Sequence, residues 1–577
     1  MISCKIVTMS AQLKQRGSVA EPKNPLQSDF TETSSMDSDE RYLSILQTRM
    51  MATGEFEAKK DNRFHNDNSA TKVTARGHLV LSLLLGALGW YQVEKNRTNL
   101  IVFTDARGGI DRSRSSYLVT MVFTMITAAV LAEICSALPA AGSIYFWAAE
   151  AGGPKYARLF GFLVAWWSTT AWSTFVASLC QSTANFILSE LPVFGVTSLI
   201  TDVTDVKFRA VQWIVSEGIL FLAIGMNYLN PKTYKWIFRI ATALIVLDFI
   251  LNIIWFPIAV SQTYGFQSAK FAFTSTNNLT GAPPVWNWML SYYVTAGILV
   301  GFEASGHISE ETQNANVVAA KGIFTSALVS ALMGFPMVIL FLFCCPDLSE
   351  FNFNYPQPFV GIYAQAMGKG GHLVMNIVCI LGLFFNTTVS GVASSRLIWA
   401  VARDGVLPFS GWISAVSANK EPRNAVTVML VFAAILLCTI LPSATAFASL
   451  VSAAGVPTIT GYALICFGRT FLTPGEFKNA PWSLGRWSRP LNFIALIWNL
   501  YLAAVLFSPL QFPVVGENFN YSPVIFGAIT IFALLSWWFM PEDQWLPAAR
   551  LGKVRMLEEE LNANRTGRSS SISGPSS

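Results

Sequence analysis

The stretch from Trp286 to Thr312, WNWMLSYYVTAGILVGFEASGHISEET, decides the fold. It begins as a membrane-spanning helix and then breaks off. Seventeen uncharged residues, Trp286 to Phe302, run into Glu303, with Gly301 before the carboxylate and Gly306 after it. An ionisable side chain at membrane depth costs about 2.5 kcal/mol or more, and it faces a cavity, a proton path or a ligand. Glycines beside it predict local unwinding, which a membrane tolerates only where backbone lines a cavity. A broken helix with a carboxylate at the break is one way to build a solute site at membrane depth.

The composition agrees. Of 577 residues, 53% are hydrophobic and 13% charged, with a mean hydropathy of +0.45; soluble domains carry about 25% charged residues. The class is an all-α polytopic membrane protein. The first 70 residues are polar, without the apolar run of a secretory signal. Of eight cysteines, all but Cys4 lie in apolar runs at no metal-binding spacing. They read as packing residues, and neither a metal nor a cofactor is expected. Nothing suggests nucleic-acid binding.

Uncharged runs mark the spans, because a helix needs about 20 apolar residues to cross. Leu159 to Ser189, Gly322 to Pro346, Leu373 to Ser395 and Leu491 to Gly516 are clear. Asn424 to Gly468 is too long for one helix and splits at Pro442-Ser443-Ala444-Thr445. Runs near 117–138, 208–228, 234–260, 286–305 and 522–540 bring the set to eleven. A twelfth candidate, Leu79 to Val93, is short and ends in Glu94-Lys95-Asn96-Arg97. Domain boundaries follow: a polar cytoplasmic tail over 1–76, a transmembrane domain over 77–541 with 77–116 atypical, and a cytoplasmic tail over 542–577.

With twelve spans and both termini in the cytoplasm, the later inside loops carry fourteen basic residues. These are Lys155, Arg158, Lys232, Lys235, Arg239, Lys321, Arg396, Arg403, Lys420, Arg423, Arg469, Lys478, Arg486 and Arg489. The outside loops after span two carry four: Lys207, Arg209, Lys270 and Lys369. The asymmetry follows the positive-inside rule. The sequons at Asn278 and Asn520 fall in outside loops, as glycosylation requires. The first loop breaks the pattern, since Lys95, Arg97, Arg107, Arg112 and Arg114 would lie outside.

Several residues within the spans invite a functional reading. Glu133, at the inner end of span two, reads as a helix-end cap, a partner for a loop arginine, or a proton-coupling acid. Glu217 and Asp248 read as proton relays or as polar pairs between helices. Trp166, Trp167 and Trp172 alternate with hydroxyls in span three. Their faces would suit an ammonium group, or they form an interfacial belt with hydroxyls holding neighbouring helices. Asn386, Thr387, Thr388 and Ser390 give span eight a polar stripe, for the solute path or for a neighbouring helix. Gly455 and Pro457 mark a hinge or a kink in span ten. Glu310 and Glu311 read as a solvated inner mouth. His307, four residues past Glu303, is a stacked proton partner or a surface residue.

Three ordered motifs resemble one family. SSRLIWAVARDGVLPFSGWIS from Ser394, LAEICSALPAAGSIYFWAAEAGGPKYARLFGFLVAWW over Leu131 to Trp167, and GFEASGHISEET over Gly301 to Thr312 are similar to segments of fungal amino acid, gamma-aminobutyrate and choline permeases. These belong to the amino acid, polyamine and organocation (APC) superfamily. The likeness runs from about Tyr117 to Pro541. It implies two inverted five-helix repeats plus two further helices, with the solute at the midplane between broken helices one and six. It also implies that Gly301, Phe302, Glu303, Ala304 and Ser305 form the unwound part of span six and face the solute. Spans three, eight and ten would supply the walls, with Trp166, Trp172 and Asn386 as contacts and Glu303 and Glu133 for proton coupling. The family has a full first span with a glycine-containing break, where this chain has only LVLSLLLGALGWYQVEKNRTNLIVFTDARGGIDRSR from Leu79. An altered gene model, such as a retained intron, would explain both this departure and the misplaced loop charges. So would a divergent, inactive member.

The expected function is proton-coupled secondary transport of a small amine, gamma-aminobutyrate or a neutral amino acid ahead of choline or a polyamine. Its partners would be the solute, the coupling proton and the bilayer, with the plasma membrane preferred to the vacuole. Glu303 would meet the ammonium, and the freed amides of the break would meet a carboxylate. A nutrient receptor on the same fold would be expected to carry a longer cytoplasmic extension. A membrane enzyme would need a catalytic cluster, and four histidines without a nucleophile or metal motif do not supply one.

Overall fold

The computed structural model describes residues 109–541, apart from 197–204, 230, 275–279, 313, 347–354, 418–420, 443, 476–479, 510–511 and 516–518. The short first segment and both tails lie outside the described residues. Within them the chain is helical, and no strand occurs.

The principal helices are α1 (Gly109–Ala137), α2 (Ser143–Ala151), α3 (Gly153–Leu188), α4 (Val206–Gly225), α5 (Pro231–Ile250), α6 (Pro284–Ile298), α7 (Ala304–His307), α8 (Ala315–Cys344), α9 (Pro358–Arg403), α10 (Arg423–Leu437), α11 (Ala444–Phe467), α12 (Ser488–Phe507) and α13 (Ser522–Phe539). The end of α5 passes through a π turn, Leu251–Trp255, into Phe256–Gln262. Eight helical stretches among the described residues are individually long and apolar enough to cross a membrane. Helix α3, diluted by tryptophan and hydroxyl residues, the broken α6–α7, and α11 fall outside that set. Each of the eleven apolar runs contains a helix, and the long run near 424–468 divides near Pro442 as its composition predicts. Helix α9 contains both the expected span and an outer extension, with a non-helical residue at Gly368.

Helix α8 packs along α1, α9 along α3, and α11 against both α3 and α12. An aromatic seam binds α1, α6 and α12. Phe123 stacks on Trp498 at 4.7 Å, and Tyr292 meets Trp498 edge-on at 5.7 Å. Helix α13 leaves Ile531, Leu535, Trp538 and Phe539 exposed, as an outer helix against lipid would.

The polar residues of the spans divide into structural and orphaned sets. In α3, Thr169, Ser173 and Thr174 donate to carbonyls four residues back, so they serve their own helix instead of holding neighbours. Asp248 accepts from Asn252 at 3.1 Å and from Cys379 of α9 at 3.3 Å, a polar tie between helices. Glu217 accepts from Trp213 one turn away.

Candidate functional site

The site begins at the break. Helix α6 ends at Ile298, and Gly301 has φ +97°. Nothing lies within 4 Å of where its side chain would be, so conformation alone demands glycine there. Helix α7 then restarts at Ala304, fixed by hydrogen bonds from Ala304 N to Gly301 O (3.2 Å) and from Gly306 N to Glu303 O (2.7 Å). The unwound segment is therefore Leu299 to Glu303. Ala304 and Ser305, expected to be unwound, are helical because Glu303 already occupies the position before the first turn.

Glu303 is fully buried. One carboxyl oxygen accepts from the hydroxyl of Tyr462 on α11, and Oε1 has no partner. The Tyr462 ring stacks on Phe302 at 5.4 Å. Trp172 of α3 is buried with its indole N–H toward this carboxyl, but it closes no hydrogen bond of normal geometry. Its ring meets His307 edge-on at 5.2 Å. His307 is fully buried, which excludes the surface reading. Its Nδ1 lies 2.8 Å from Ser143 Oγ of α2, and its Nε2 has no partner. Buried polar atoms are nearly always hydrogen-bonded. Glu303 Oε1, Trp172 Nε1 and His307 Nε2 gather on adjoining residues without hydrogen bonds of normal geometry, with the Trp172 N–H turned toward the carboxyl. No cation pairs with Glu303 among the described residues, so a positive charge on an occupant would complete it.

Other sequence-selected residues fall elsewhere. Asn386 and Ser390 are buried on α9 without side-chain partners, and so is Ser394; spacing of four puts all three on one face. Thr387 and Thr388 turn back onto their own helix. Trp166 packs edge-on against Phe532 of α13 at 4.7 Å, on the outer side of α3. Glu133 accepts from Leu484 N (2.8 Å) and Ser488 Oγ (2.5 Å) and sits 3.5 Å from Arg469. It thus has the arginine partner of its structural reading, and its hydrogen bonds go to the start of α12 and the turn before it. Glu310 grips Arg403 with two bonds, at 2.8 and 3.0 Å.

Sequence reasoning missed Tyr462 and Ser143. The available signal for Tyr462 was a tyrosine inside an apolar run, whose hydroxyl needs a partner when buried. Ser143 carries no comparable signal, because its role depends on a residue 164 positions away.

Comparison with known proteins accords with this geometry. The family model described as amino acid permease matches residues 108–530, a stretch that begins after the short first segment. The thiamine transporter thi9 of Schizosaccharomyces pombe is 50% identical over 465 residues, covering 76% of this chain and 78% of the relative. The amino-acid permease BAT1 of Arabidopsis thaliana is 26% identical over 440 residues, covering 73% and 83%. The uncharacterized amino-acid permease C74.04 of Schizosaccharomyces pombe is 26% identical over 441 residues, covering 75% and 77%. The broken helix, the buried carboxylate and the matched length agree: the chain is a multi-pass membrane permease and belongs to the amino acid permease family of the APC superfamily.

Proposed function

We propose that this permease carries thiamine, or a closely similar heteroaromatic cation, across the plasma membrane by proton-coupled secondary transport. The observation that carries the reading is the 50% identity to a thiamine transporter over more than three quarters of both chains. The site supports it chemically. Thiamine bears a fixed positive charge on a flat ring. Glu303 offers an uncompensated carboxyl oxygen, while Trp172, Phe302 and Tyr462 offer aromatic surface. A cation over an aromatic face gains roughly 2 kcal/mol when desolvated. This order reverses the expectation that a zwitterionic amino acid would lead. An amino acid remains the second reading, favoured by the relatives named as amino-acid permeases.

The test is uptake of labelled thiamine in cells deleted for their own thiamine carriers, with competition by gamma-aminobutyrate, a neutral amino acid and choline. Thiamine uptake that none of the amino acids competes away is the expected result, with a loss of about tenfold or more in Trp172→Leu. Uptake of an amino acid without thiamine would reverse the ranking.

A further inference from the structure

The inner side of the site, which the charge distribution assigns to the cytoplasm, is covered by the segment joining α1 to α3. Four ties hold this cover. Ala141 N donates to Glu310 Oε1 at 3.0 Å, Ser143 Oγ shares a hydrogen bond with His307 Nδ1 at 2.8 Å, Tyr145 donates to Asp404 at the end of α9, and the face of α2 meets Gly306 closely. A side chain at Gly306 would come within 2.8 Å of the Trp147 ring and 2.9 Å of Ser143 Cβ, so only glycine allows this approach. Ser143 itself has φ +34°, a left-handed conformation strained for serine, in a fully buried residue. Strain of this kind persists only where surrounding contacts hold it, and it concentrates at switches.

We propose that the Ser143–His307 hydrogen bond is the latch of an inner gate, and that His307 is the positioning residue linking the latch to the solute site. The inference rests on the transporter reading, because alternating access requires the cover to part from the site. His307 touches both sides: its ring meets Trp172 at the site, and its Nδ1 meets Ser143 in the cover. Its Nε2 is buried without a hydrogen bond, so a shift of the ring sacrifices no bond at that atom. Glu310, which holds Ala141, is partly exposed and shared with Arg403, and such exposed ties contribute little. The buried ties, Ser143 with His307 and Tyr145 with Asp404, carry more of the closure, and the first is continuous with the site through Trp172. Opening breaks it and relaxes the strained Ser143 backbone together.

The latch is testable on the full chain without any solute, so a failed substrate assignment would not affect the result. A cysteine introduced by Ser305→Cys, at a fully buried position next to the site, is labelled with an impermeant maleimide in inside-out membrane vesicles. The parent chain, whose Cys438 is exposed, supplies the background. Adding Ser143→Ala should raise the labelling rate about 3- to 10-fold, the factor that loss of one hydrogen bond commands. His307→Gln, which lacks a group at the Nδ1 position, should do the same. His307→Asn places an amide near Nδ1, keeps the tie to Ser143, and should label at close to the starting rate. Unchanged labelling in Ser143→Ala would overturn the latch. An equal rise in His307→Asn would also overturn it, because it would indicate general loosening.

Discussion

Tyr462 donates its hydroxyl to one oxygen of Glu303 and leaves the other oxygen unpartnered, although the two residues stand 159 positions apart in the chain. The bond orients the carboxyl, toward which Trp172 also turns its indole N–H. A buried carboxylate without a cationic partner is costly to keep, and an occupant bearing a positive charge would supply what the described residues do not.

Glu303→Gln keeps the size of the side chain and removes the charge. Charge-assisted bonds contribute about 1.5–3 kcal/mol, which is roughly 10- to 100-fold. Uptake of the labelled solute should fall by at least tenfold at unchanged surface level, and the loss in Tyr462→Phe should be smaller, since the stacking on Phe302 is kept. Wild-type rates in Glu303→Gln would make the carboxyl structural.

Glu133→Gln should behave in the opposite way. Glu133 and Arg469 are both buried, and removing one member of such a pair costs about 3–5 kcal/mol in the soluble proteins where it has been measured. Thermal unfolding of the detergent-purified protein should shift down by several degrees, with the KM of whatever still folds unchanged. A changed KM at unchanged stability would move Glu133 into the transport machinery.

Gly301→Ala has room for its methyl group but not the backbone freedom. Holding an alanine at positive φ costs about 1–2 kcal/mol, so the break should shift and kcat/KM fall roughly tenfold. A transport rate within twofold of the parent would mean that the break tolerates an ordinary helix geometry.

Residues of about 50–116 carry the short first segment and its basic neighbours, and the family match begins only at residue 108. Replacing part of this stretch with a longer uncharged apolar span should raise uptake above that of the 577-residue chain. Equal uptake by both chains, with Arg112 shown to be external, would remove the argument that this segment is abnormal.

The helices and the break were legible because bilayer thickness and backbone hydrogen bonding constrain sequence locally. Apolar run lengths located α3, α8 and α12, and Gly301 beside Glu303 located the unwound turn. The walls of the site were only partly legible. Trp172 and Trp166 lie six residues apart in one run, yet one meets His307 and the other meets Phe532 on α13. Which face of α3 turns inward depends on partners in distant helices. The burial of His307 was hidden for the same reason: the residues that cover it, Ser143 and Trp172, belong to other elements. For Glu133 the helix-end position already pointed to a structural role, and the partners were found nearby in space at Leu484 and Ser488.

The most direct test of solute and coupling together uses the purified chain in liposomes with labelled thiamine outside and an imposed proton gradient, acid outside. Thiamine should accumulate above its external concentration, the accumulation should collapse with a protonophore, and Glu303→Gln liposomes should stay at background. Equilibration of thiamine without accumulation, or an identical signal in Glu303→Gln, would contradict proton-coupled transport through this site.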